Sequence, residues 1–112
     1  MSTDERARRI GANEAIFREV NERLEEVARD LGLESQELDL LCECGDAGCV
    51  ERITMSVSDY EALRANPKLF AVAPGHEEKD VEYFVERRKG YDVVQKREGL
   101  AAQIAEDTDP RQ

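Results

Sequence analysis

A chain of 112 residues, 40% apolar and 38% charged, has the length of one domain and the composition of a globular protein with a modest core. Its 26 acids against 16 bases give a net charge of -10, and residues 34–66 alone hold 8 acids and 2 bases, which disfavours nucleic acid as a partner of that segment. No stretch approaches the roughly 20 apolar residues that span a bilayer, and MSTDERARRIGANEAIF lacks the apolar segment and cleavage site of a secretory signal, so a cytoplasmic protein without membrane association is expected.

In chain order, residues 3–31 read as one long helix, capped by Thr3 or Asp4, with a weak point at Gly11 and a stop at Gly32. Ile10, Phe17, Leu24 and Leu31 recur every seventh position, Val20 and Val27 take the intervening sites, and Asn13 takes the first. This seam is expected to pack on the domain's own sheet. The alternative is a homodimer or a partner protein held through the N-terminal helix.

Glu37 to Glu43 alternates as a strand, residues 44–49 form a tight turn, and Val50 to Met55 returns. Ser58-Asp59-Tyr60-Glu61 has the form of a capping box opening a short helix to about Ala65, which Asn66-Pro67 ends. Phe70 to Ala73 is extended and leads into a Pro74-Gly75-His76 turn. Residues 81–88 fit either a helix or a strand. The preferred reading is a hairpin pairing Val81–Arg88 with Tyr91–Arg97 across Lys89-Gly90. A terminal helix from about Leu100 to Glu106 and a frayed tail over 107–112 complete the expectation. The domain is therefore a single α+β unit: a long N-terminal helix (1–33), then an α+β metal-binding core (34–106) built on a small antiparallel sheet.

The chemistry concentrates in Cys42-x-Cys44-x4-Cys49. Three cysteines within eight positions are a poor disulfide framework, whereas a reducing compartment uses such clusters for metals. Structural zinc takes four donors, commonly with some from a tight knuckle, and Gly45 and Gly48 are expected to supply left-handed backbone angles there. His76 is the only histidine, which makes it the preferred fourth ligand. Asp46, Glu77, water or a substrate remain open alternatives. One zinc ion per chain, held by Cys42, Cys44, Cys49 and His76, is the expected cofactor.

Cys-x-Cys, a third cysteine and one histidine also form a ligand set that resembles the CDGSH group of two-iron clusters. Those proteins keep the histidine four residues after the third cysteine, where this chain has Val50-Glu51-Arg52-Ile53, so an iron–sulfur cluster is disfavoured. Three thiolates would leave zinc a weak Lewis acid, and neither a deaminase pair of motifs nor a nucleotide-binding loop is present. Glu43 and Asp46 are the carboxylates near enough in sequence to suggest a catalytic role. Arg87-Arg88-Lys89 is too short a basic run to grip nucleic acid.

The knuckle Cys42–Cys49 (Cys-x-Cys-Gly-x3-Cys), Tyr60-x3-Arg64 and Phe70-x-Val72-x-Pro74-Gly75-His76 together resemble a group of small bacterial proteins sharing these three elements. The resemblance covers most of the chain from Asn13 onward, pairs the knuckle with the histidine turn, and brings no activity with it. The functional expectation is a structural zinc site in a non-enzymatic interaction or regulatory module. Its alternative is a metal-dependent or thiol-redox enzyme or sensor.

Overall fold

The proline-free N-terminal segment forms α1 (Thr3–Asp30), a helix of 28 residues and thus about 42 Å, in a computed structural model that describes residues 3–111. Thr3 and Asp4, expected as caps, fall within its first turn, and what precedes them lies outside the described residues. The far end closes as a Schellman motif on left-handed Gly32 (φ 73). Gly32 N–H bonds the Arg29 carbonyl at 3.0 Å and Leu33 N–H that of Ala28 at 2.9 Å.

After it come β1 (Glu37–Leu41), β2 (Arg52–Ser56), α2 (Val57–Arg64), β3 (Leu69–Val72), β4 (Glu82–Arg88), β5 (Tyr91–Lys96) and α3 (Leu100–Asp107). The fold is α+β, with antiparallel strands in two sheets, β1-β2 and β3-β5-β4. Residues 82–96 are the hairpin, turning through Lys89-Gly90 between the paired Arg88 and Tyr91, with Gly90 at φ 92. The Glu43 N–H bonds the Ala71 carbonyl at 2.9 Å and so joins the first sheet to the second. Leu40, Ile53, Met55, Tyr60, Phe70, Val72 and Val94 fill the core between them. Among the described residues no helix is long and apolar enough to cross a membrane.

The helix seam does not pack on the sheets as expected. Ile10 is buried and Phe17 half-buried, but Val20, Leu24, Val27 and Leu31 are 39% to 68% exposed. The face that α1 turns inward runs beside the seam and is largely polar: Glu14, Arg18, Asn21 and Glu25 are all buried. Specific partners offset part of the cost of this burial, although Arg18 Nε and Nη1 and Glu25 Oε2 have no hydrogen-bond partner. The Asn21 amide exchanges hydrogen bonds with both N–H and C=O of Leu41, at 2.8 and 2.9 Å, as an adjoining strand would. Arg18 stacks over Phe70 at 3.6 Å and donates to the Leu69 carbonyl. Lys96 lies between Glu14 and Glu82 at 2.5 and 2.6 Å. Gly11 is less a weak point than a contact, since a Cβ there would meet Ile104 of α3 at 2.5 Å.

The capping box shifts by two residues. Ser56 is the cap of α2, its hydroxyl accepting from the Asp59 N–H at 3.1 Å, while Ser58 Oγ reaches back to the Glu34 carbonyl. The segment after α3, expected to fray, carries ion pairs from Asp109 to Arg64 and from Arg111 to Glu22 and Glu61.

Candidate metal centre

Cys42 follows β1 directly, and its N–H continues the ladder to the Glu51 carbonyl at 3.1 Å. Strand alternation then sends Cys42 and Cys44 to one side and Glu43 to the other. Asp46 closes the knuckle through the Cys49 N–H to its carbonyl at 3.0 Å and the Gly48 N–H to its carboxylate at 2.9 Å. Neither Gly45 nor Gly48 has the left-handed backbone expected of it. Gly45 is instead a close approach, because a Cβ there would run into the Ile10 side chain, and Asn13 Nδ2 donates to its carbonyl at 2.8 Å.

The left-handed glycine of the site is Gly75 (φ 83). Ala73-Pro74-Gly75-His76 forms a turn closed by the His76 N–H to the Ala73 carbonyl at 2.9 Å, with proline and glycine where a type II turn wants them. This turn brings the imidazole to the knuckle. His76 Nδ1 lies 3.6 Å from Sγ of both Cys42 and Cys49. The donor atoms of Cys42, Cys44, Cys49 and His76 all lie within 4.8 Å of one another, so the four can hold a metal ion. The cysteines are free thiols, Cys42 and Cys44 buried, Cys49 half-buried.

The surroundings suit thiolates. The Ala73 N–H donates to Cys42 Sγ at 3.1 Å. Cys44 is drawn down to about 5, chiefly by a hydrogen bond from Cys42 and further by the Asp46 N–H. Cys42 is correspondingly pushed up by donating a hydrogen bond to Cys44 and by burial, and burial pushes Cys49 up. Metal binding takes the thiolate form of cysteine and so releases the thiol protons.

The carboxylates take no part in the cluster. Glu43 is fully engaged elsewhere, accepting from the Tyr60 hydroxyl at 2.7 Å, Asn21 Nδ2 at 3.0 Å and the Ala71 N–H at 3.2 Å. Asp46 is a turn residue, and Glu77 is not among the grouped donors. The basic run is neutralised locally, with Arg87 on Asp92 and Arg88 on Glu86. Sequence reasoning missed Asp92, whose buried carboxylate accepts the Gly75 N–H at 3.1 Å and steadies the histidine turn. A lone acid inside the apolar run Tyr91–Val94 was the available signal.

Fold and site together define a small α+β domain in which a Cys3His cluster joins a strand-end knuckle to a remote turn. Comparisons with protein-family models, curated proteins and solved structures find no match.

Proposed function

We propose that Cys42, Cys44, Cys49 and His76 bind one zinc ion as a structural clasp, in a cytoplasmic, non-enzymatic protein-interaction module. The observation that carries this is the position of His76 Nδ1, 3.6 Å from two of the sulfurs. Zinc bonds of about 2.3 Å to sulfur and about 2.0 Å to nitrogen, at tetrahedral angles, imply a sulfur–nitrogen edge of about 3.5 Å. Three soft thiolates and one imidazole are a donor set that favours zinc over calcium or magnesium.

A structural role follows from the chemistry of the donors. Four protein ligands fill a tetrahedron and leave no position for water or substrate. Three thiolates more than neutralise the ion's charge, and Glu43, the nearest candidate base in sequence, is held by three donors on the other side of the strand. What the clasp supplies is a tie between residues 42–49 and 73–76.

The test is metal analysis of freshly purified protein, followed by zinc titration of the parent and of His76→Ala. A colourless protein with one zinc per chain, and weaker binding in the variant, supports the reading. A brown protein, no metal, or an unchanged affinity in His76→Ala overturns it.

A further inference from the structure

The exposed side of α1 carries a second feature, separate from the metal centre. Ile16, Val20, Leu24, Val27 and Leu31 form a stripe over four turns, spaced 4, 4, 3 and 4 residues apart, and are 39% to 68% exposed. In a chain with 38% charged residues this is an outlying concentration of apolar surface, on the order of 500 Å². A stable pairing buries about 800 Å² per partner. The stripe and the stems of its flanking charged residues together approach that area.

We infer that α1 pairs with α1 of a second copy of this chain, antiparallel, about a two-fold axis near residues 25–26. This deepens the interaction-module reading and rests on its claim that the protein works by association. From Val20 to Leu31 the apolar spacing alternates 4, 3, 4 as a coiled-coil seam requires, with Ile16 at its edge, so the natural complement is a helix of the same spacing. About that axis Val20 lies against Leu31 of the second copy and Leu24 against its Val27, each valine meeting a leucine. A two-fold makes the contact self-complementary and closed, leaving no stripe exposed to propagate.

Charge selects the antiparallel arrangement. Arg23, Glu26 and Asp30 lie on the outer flank of the stripe, and among the described residues none of the three forms an ion pair within the chain. In the antiparallel pair Arg23 of each copy falls within a turn of Glu26 and Asp30 of the other. In a parallel pair it would face the partner's Ala28 side, which each chain has already buried against its own domain. The helix dipoles oppose one another only in the antiparallel pair.

The test is sedimentation of the zinc-loaded full chain from micromolar to near-millimolar concentration. A mass rising to that of two chains is expected. Val27→Glu with Leu31→Glu should abolish it without lowering the melting temperature measured at concentrations where the parent is monomeric, since both side chains are exposed in the single chain. Arg23→Glu should weaken association about tenfold, roughly 1.4 kcal/mol, and adding Asp30→Arg should restore it. A monomer at every concentration, or a dimer that survives the double glutamate variant, overturns the proposal. Failure of the double charge reversal to restore association overturns the antiparallel pairing. Zinc content measured on the same fractions distinguishes a failed interface from a failed metal site.

Discussion

The Asp92 carboxylate accepts a hydrogen bond from the backbone N–H of Gly75 at 3.1 Å, and through it β5 holds the turn that presents His76. Arg87 clamps the same carboxylate at 2.7 and 3.1 Å and holds its pKa below the usual range. Asp92 touches no donor atom of the cluster, so its influence is on position. Outer partners of metal ligands are typically worth 10- to 100-fold in affinity. Asp92→Ala should therefore weaken zinc binding about tenfold while one ion per chain still binds. Asp92→Asn, which keeps an acceptor for Gly75, should lose less. Zinc competition with a chromophoric chelator reads both, and equal affinities in parent and alanine variant would remove Asp92 from the account.

Glu14 and Glu82 share the single ammonium of Lys96, and burial pushes Glu14 up to about 8 against the pull of Lys96. A raised carboxyl pKa means that the folded chain keeps a proton that the unfolded chain has released. Stability from this group is complete below about pH 4.5 and is lost as pH rises through about 8. Between pH 6 and 8 the melting temperature of the zinc-loaded parent should fall, by roughly 4–8 °C for each kcal/mol lost. In Glu14→Gln, where nothing can ionise, the slope should flatten. Parallel slopes in the two proteins would show that Glu14 is not the group responsible.

Gly45 admits no side chain, because the Ile10 side chain occupies the space a Cβ would take. Gly45→Ala should cost about 1–3 kcal/mol, the usual range for overpacking. Ile10→Ala empties that space at its own cost. The two substitutions should then be less than additive, with the double variant more stable than the sum of the single losses. Thermal melts of the four proteins in excess zinc give the coupling directly, and strict additivity would contradict the contact.

Much of this was legible along the chain, and the exceptions have a common cause. The Lys89-Gly90 hairpin and the Pro74-Gly75-His76 turn were readable because two adjacent residues carry their geometry. The cysteine knuckle was readable because its donors are neighbours. The inward face of α1 was not, because Asn21, Arg18 and Glu14 are buried only by virtue of Leu41, Phe70 and Lys96, partners 20 to 82 positions away that no periodicity encodes. An apolar pattern marks a face as sticky without saying to what, and most of the seam stays exposed where packing on the sheets is expected. Ser56 and Ser58 each had a suitable residue three positions on, and only the backbone path chose between them.

Removal of the metal should act locally before it acts globally. The β1-β2 sheet has two strands, an arrangement only marginally stable in water by itself. Besides its core side chains, Asn21 and Glu43 hold it, and an ion on the Cys3His group would add a further tie. The three-stranded sheet has α1 bound to it through Lys96 and Arg18, neither of which depends on the cysteines. Chelation should therefore accelerate amide exchange first in residues 37–56 and 73–76, with β5 and the middle of α1 keeping their protection at the same temperature. Hydrogen exchange followed by mass spectrometry with and without a chelator resolves the order. Uniform loss of protection across both sheets would mean that the ion supports the whole fold as one cooperative unit rather than clasping the knuckle to its turn.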